Sequence, residues 1–171
     1  MINMSPKLLL ARLAYWLLSF KENPHEVFNR IGVEKEDHIL EIGCAIGFHT
    51  FPLADLAEEG HIYAVDISEE FIDFLEKKRK KKGYENITPI CEDAEKIGLK
   101  NEKLDKVVCF RTIHDMQNPE KALENWLSHL RSGSLLLYRD PEISIDSIIE
   151  YSEEELVEVD EIEDVHLFRK K

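Results

Sequence analysis

LEIGCAIGFHT, residues 40–50, sets a short apolar run ending at Ile42 against three small residues at alternate positions, Gly43, Ala45 and Gly47. A strand that stops in glycine and restarts as a helix lets the backbone approach a ligand. It also turns amide donors toward that ligand at the helix N-terminus. The next apolar run ends YAVDIS, which puts Asp66 at its tip. An acid about 20 residues after a glycine loop is the usual ribose clamp of nucleotide-binding α/β folds, because one carboxylate accepts from both hydroxyls.

Outward from this stretch, two periodicities alternate. Strands are expected at 38–42, 62–65, 87–91, 106–109 and 134–138. Helices are expected at 47–58, at 68–82 with Ser68 as its cap, and at 119–130 ending near Gly133. Such alternation means a parallel sheet with helices on both faces. Two helices come first. One begins at Ser5-Pro6 and runs to about Phe20 with little polar face, so something must cover it. The other begins at Asn23-Pro24, carries Glu26 at a capping-box position, and stops at Gly32. The tail holds two strand-like runs, ELVEV and VHLFRK, which read as an antiparallel hairpin with a solvated acidic face. The expected fold is α/β: a Rossmann-like, doubly wound, mostly parallel seven-stranded sheet closed by that hairpin. One domain is expected over 1–171, with a helical cap at 1–33 and the core at 38–171.

The 171 residues suit one core, and the 43% hydrophobic content is ordinary for a globular chain. A net charge of −13 opposes binding to nucleic-acid backbones. The basic run at 77–82 follows Glu69 and Glu70 on one helix, an order that complements the helix dipole. The apolar stretch at 8–18 is too short for a membrane span and carries Arg12, so a cytoplasmic protein without membrane contact is expected. Cys44, Cys91 and Cys109 form no CxxC pair, and neither disulfides nor a metal site is expected.

Counted from Gly43, Ala45 and Phe48 stand where dinucleotide-binding dehydrogenases carry their second and third glycines. A G-x-(G/A)-x-G spacing fits better, and with Glu41 two residues ahead it resembles motif I of the class I S-adenosylmethionine-dependent methyltransferases. Residues 38–138 follow that family's order, and the hairpin is similar to its last two strands. The general look is that of the small type 11, or ubiquinone-biosynthesis-like, branch. The resemblance implies S-adenosylmethionine as cofactor and methyl transfer by in-line displacement. It puts Glu41, Gly43, Ala45 and Gly47 in the cofactor loop, Asp66 and Ile67 at the ribose, and Asp93 and Ala94 at the adenine. It also implies cofactor contacts from Phe110 and Arg111, at the loop after the fourth strand. Ala45 replaces the commoner glycine, and its methyl is tolerable there if the residue keeps a negative φ.

In that same loop, His114 and Asp115 are the candidate catalytic residues, His114 as base and Asp115 as its orienter. Arg111 fits a cofactor or substrate carboxylate, or equally a structural pair. Asp140 reads as a turn aspartate before Pro141, and His49 as a partly exposed bystander. Tyr15, Trp16 and Phe20 either form a lid over the cofactor or pack elsewhere. A small-molecule acceptor is expected, and a homodimer through the first helix is compatible with its apolar surface. The alternatives are a protein or RNA methyltransferase, or a non-catalytic cofactor-binding sensor or partner subunit.

Overall fold

In the computed structural model, which describes residues 5–99 and 103–171, two helices precede the sheet: α1 (Pro6–Leu18) and α2 (Pro24–Ile31). Then follow β1 (His38–Ile42), α3 (Thr50–Leu56), β2 (His61–Asp66), α4 (Glu69–Lys82), β3 (Ile87–Cys91), β4 (Leu104–Phe110), α5 (Pro119–His129) and β5 (Leu130–Arg139). The chain ends with α6 (Ile145–Tyr151), β6 (Leu156–Ile162) and β7 (Val165–Lys170). The seven strands lie in the order β3-β2-β1-β4-β5-β7-β6. The first five are parallel, and β7 runs antiparallel to both β5 and β6.

Strand residues alternate between two apolar layers. Ile39, Val108 and Phe110 face α2 and α3. Leu40, Ile42, Val107 and Cys109 face α5 and α6, where Trp126 is fully buried. Glu41 falls on the first of these faces and is therefore buried, although it carries a carboxyl.

Several expected boundaries move. Gly47 has φ +83, so the glycine loop continues as turns and α3 starts only at Thr50. Gly133 ends no helix. It lies within β5 at φ +85, beside the register jump between Leu104 and Lys106 that takes up extra residues. The segment before the hairpin forms α6, capped by the Ser144 hydroxyl. At α2, Asn23 makes no side-chain capping bond, so the expected capping box does not form from it. Far from the strand tips, the buried Lys106 ammonium pairs with Asp37 and joins β4 to the turn before β1.

Candidate active site

The strand order reverses between β1 and β4, and ligands of open α/β sheets bind above the strand tips at such a point. A cleft of about 560 Å³ lies there. It is lined by the glycine loop at Gly43 and Ala45, by Asp66 and Ile67 at the tip of β2, by Asp93 to Lys96 after β3, and by Phe110 to Thr112 at the tip of β4. Tyr15 and Leu18 of α1 roof it.

The glycine loop does its work chiefly within the protein. Its amides are already bonded: Gly43 and Cys44 donate to the Val65 carbonyl, Ala45 to Asp66 Oδ2 at 2.9 Å, and Gly47 to the Cys44 carbonyl. The expected array of free donors is thus largely spent on joining β1 to β2. Gly43 has φ +73, and a Cβ there would lie 2.2 Å from Thr112 Oγ1, so only glycine lets the β1 and β4 tips meet. Ala45 does not meet the condition of a negative φ. It stands at φ +45, in the left-handed region disfavoured for a side chain, which explains why glycine suits this position better.

Asp66 Oδ1 accepts from the Ser68 amide at 2.8 Å. The Ser68 side chain itself makes no cap, so Asp66 sets the entry to α4. Each Asp66 oxygen still has a lone pair for a ligand hydroxyl. Asp93 accepts from the Glu95 amide at 3.0 Å and from Lys96 Nζ at 2.7 Å. The Ala94 carbonyl is bonded to the Trp126 indole at 2.8 Å, which fixes this loop on α5. Glu95 was not singled out in the sequence. Its Oε1 takes the amides of Gln117 and Asn118 and ties the β3 loop to the β4 loop.

Glu41 and Gly47 are buried beneath the loop and do not line the cleft. Burial pushes the Glu41 carboxyl up to about 7, and its Oε2 has no hydrogen-bond partner. Tyr15 stacks on Phe48 at 5.3 Å, and burial together with the nearby acids Glu41 and Asp66 raises its phenol to about 12. The lid role therefore falls to Tyr15, while Trp16 and Phe20 point into solvent. Arg111 lines the cleft at φ +53, and it makes no ion pair among the described residues.

His114 does not line the cleft, though its neighbours Asp115, Met116 and Gln117 do. Its Nδ1 is 2.7 Å from Oδ2 of Asp140, whose side chain is fully buried. Asp115 is 83% exposed and 3.7 Å from Nε2, so Asp140, and not Asp115, orients the ring. Asp140 is also the expected turn residue, accepting from the Glu142 amide at 3.1 Å. The Asp140 hydrogen bond, with Glu142 and Asp115 nearby, raises the His114 pKa and keeps the ring toward its cationic form.

His49 is no bystander. It lines the cleft with its side chain only 14% exposed, and its Nε2 lies 3.2 Å from Glu22 Oε1. Burial lowers its pKa, so the neutral ring donates to Glu22. Arg139, at the tip of β5, donates to both Glu22 oxygens at 2.8 and 3.0 Å and to Asp164 at 3.1 Å. Its guanidinium lies over the Phe110 ring at 4.6 Å. Burial raises the Glu22 carboxyl, but the bonds from His49 and Arg139 outweigh it and hold it at about 2. No sequence signal joins Glu22 to Arg139 across 117 positions. Cys44 and Cys109 are buried and their thiols are pushed up, which removes them as nucleophiles. Among the described residues no group of acids, histidines and cysteines is arranged to hold a metal.

Residues 33–167 match the methyltransferase-domain family. The chain is 34% identical to the malonyl-(acyl-carrier protein) O-methyltransferase of Bacillus cereus over 100 residues, 58% of this chain and 36% of that protein. It is 30% identical to malonyl-(acyl-carrier protein) O-methyltransferase 2 of Ilyobacter polytropus over 145 residues, 78% of this chain and 51% of that one. The chain thus spans about half or less of the length of these relatives. Its fold is similar to that of an S-adenosylmethionine-dependent methyltransferase from Aquifex aeolicus, with a TM-score of 0.74 at 21% identity over 86% of this chain and 88% of that one. It is also similar to the N-methyltransferase NodS from Bradyrhizobium japonicum in complex with S-adenosylhomocysteine, with a TM-score of 0.67 at 20% identity over 78% of each chain. The cofactor of this class is S-adenosylmethionine, and the cleft fits it in volume and in the acids at the β2 and β3 tips. This chain belongs to the methyltransferase-domain family and has the class I S-adenosylmethionine-dependent methyltransferase fold.

Proposed function

We propose that this protein transfers a methyl group from S-adenosylmethionine to an oxygen of a carboxylate-bearing acceptor, either a small molecule or an acid carried on an acyl carrier. The observation that carries methyl transfer is the cleft at the β1–β4 switch, with Asp66 and Asp93 set along one wall. Bound S-adenosylmethionine supplies an activated methyl on a sulfonium. In this reading Asp66 and Ile67 hold the ribose and Asp93 and Ala94 hold the adenine. Gly43, Ala45, Phe110 and Arg111 shape the far half, and Glu41 and Gly47 support the loop from below. Tyr15, held by its stacking on Phe48, and Leu18 cover the cofactor. Holding acceptor and methyl in line is worth about 7–11 kcal/mol of barrier.

The acceptor class rests on proton accounting. A carboxylate is already an anion and needs no base. His114 stands outside the cleft lining, so this reading asks no base of it. Arg111, which lines the cleft and makes no ion pair among the described residues, supplies the positive group for an acceptor carboxylate. The relatives named above are O-methyltransferases of malonyl-(acyl-carrier protein), and others carry the names protein-L-isoaspartate O-methyltransferase and aklanonic acid methyltransferase. We read the protein as cytoplasmic, supported by free cysteines and by the lack of any membrane-spanning helix among the described residues.

The test is transfer of labelled methyl from S-adenosylmethionine to a panel of free and carrier-linked carboxylic acids, amines and phenols. Base-labile methyl ester on an acid supports the reading. Transfer confined to amines or phenols would replace the acceptor class, and no transfer despite cofactor binding would favour a non-catalytic binder.

A further inference from the structure

We propose that the outer face of α1 is a self-association surface that joins two copies of this chain through antiparallel α1 helices. This goes beyond methyl transfer and does not depend on it.

The helix is apolar on both sides. Leu8, Tyr15 and Leu18 turn toward the protein. Leu9, Leu10, Leu13, Trp16, Leu17 and Phe20 turn away and are 49, 67, 52, 58, 52 and 71% exposed. On a helical wheel the five within α1 fall within a stripe roughly 120° wide, which is the width of a core-facing helix and not of a solvent-facing one, and Phe20, in the turn after the helix, extends the patch by packing edge-on against Trp16 at 4.9 Å. With full side-chain areas of about 200 Å² each, their exposures leave on the order of 700 Å² of apolar stripe open per copy. That exceeds the patch of about 300–600 Å² usual for a monomer and approaches the roughly 800 Å² per partner of a standard interface.

The pattern also specifies the occupant. Leu9, Leu13 and Trp16 are spaced four and three, as in the seam of a two-helix coil, and Phe20 in the turn after α1 continues the row. Antiparallel pairing about a two-fold axis sets Leu13 of one copy opposite Trp16 of the other, and Leu9 opposite Phe20. Large then meets small at every layer. The stripe itself holds no charge, so the net charge of −13 on each copy is not brought into contact. A membrane fits less well. That net charge is repelled by anionic lipid, and Lys7 and Arg12 lie over the Phe71 and Phe74 rings of α4 instead of flanking the stripe as free anchors. A small apolar ligand has no groove to enter on the convex side of one helix.

Because Tyr15 and Leu18 of the same helix roof the cleft, pairing would brace the roof from outside. The experiment is sedimentation equilibrium on the full chain between about 1 and 100 µM. The wild type is expected at twice its 20.0 kDa mass, with a Tm that rises with concentration. Leu13→Glu and the milder Leu17→Gln are expected to sediment as monomers. Their circular dichroism should be native and their Tm independent of concentration. A wild type that stays at 20.0 kDa throughout, or variants that remain dimeric, would overturn the proposal. So would wild-type flotation with phosphatidylcholine–phosphatidylglycerol vesicles that Leu13→Glu abolishes, which would assign the stripe to lipid.

Discussion

Asp66 accepts two backbone amides, one from the glycine loop and one from the start of α4, and still offers acceptor capacity to the cleft. It therefore positions the loop and meets the ligand at once. Ala45 illustrates the opposite case, a side chain where the backbone wants none. A left-handed alanine costs about 1–2 kcal/mol, partly offset by the entropy that glycine would lose. Ala45→Gly is expected to raise stability by about 0.5–1 kcal/mol in chemical denaturation and to tighten S-adenosylmethionine binding. Loss of stability in that variant would mean that the loop does not hold this conformation. His114 supplies a second residue-level check. Its imidazole should titrate above the ordinary 6.5 by NMR, and Asp140→Asn should move it down, whereas Asp115→Asn should barely move it. Equal shifts in the two variants would return the orienting role to Asp115.

Among the elements, the junction of β1 with β4 is the tightest. Gly43→Ala would force a methyl into Thr112 at a positive φ, for about 3 kcal/mol of destabilisation, and Thr112→Gly in the same chain should recover part of it. A wild-type-like Gly43→Ala would show that the two tips do not meet this closely. This junction also marks how far the sequence is legible. The run of strand, glycine, strand and acid announces a parallel sheet and puts Asp66 at a strand tip, because period and spacing are local signals, whereas the order of strands across the sheet is not read from them. The same glycines were read as room for a ligand, whereas at Gly43 the nearest neighbour is Thr112, 69 positions later. Side-chain pairings over such distances leave no periodic trace. Glu22 with Arg139, His114 with Asp140 and Glu95 with the β4 loop were missed for that reason. Gly133 was misread because a bulge glycine and a helix-ending glycine look alike in one dimension.

At the scale of the whole molecule, two carboxyls set opposite pH limits. Glu41 is raised from 4.5 to about 7 by burial, so its folded state prefers the proton. That contribution is complete below about pH 4.5 and is lost as pH rises through about 7. Glu41→Gln should therefore gain up to roughly 3 kcal/mol over wild type at pH 8.5 and nothing at pH 4, read from paired denaturation curves. Glu22 is the reverse. Its lowered pKa contributes stability above about 4.5 that disappears as pH falls through about 2. Since it anchors the segment between α1 and α2 to Arg139, acid should release the roof of the cleft before the sheet unfolds, seen as early loss of hydrogen-exchange protection in α1. The claim on which the rest depends is that the cleft beneath that roof holds S-adenosylmethionine by Asp66. Calorimetric titration of wild type and Asp66→Ala, with unfolding curves to verify the variant's fold, tests it directly. The account predicts micromolar binding of S-adenosylmethionine and its demethylated product, weakened about 10- to 100-fold in Asp66→Ala. No binding by the wild type, or binding that Asp66→Ala leaves unchanged, would contradict it.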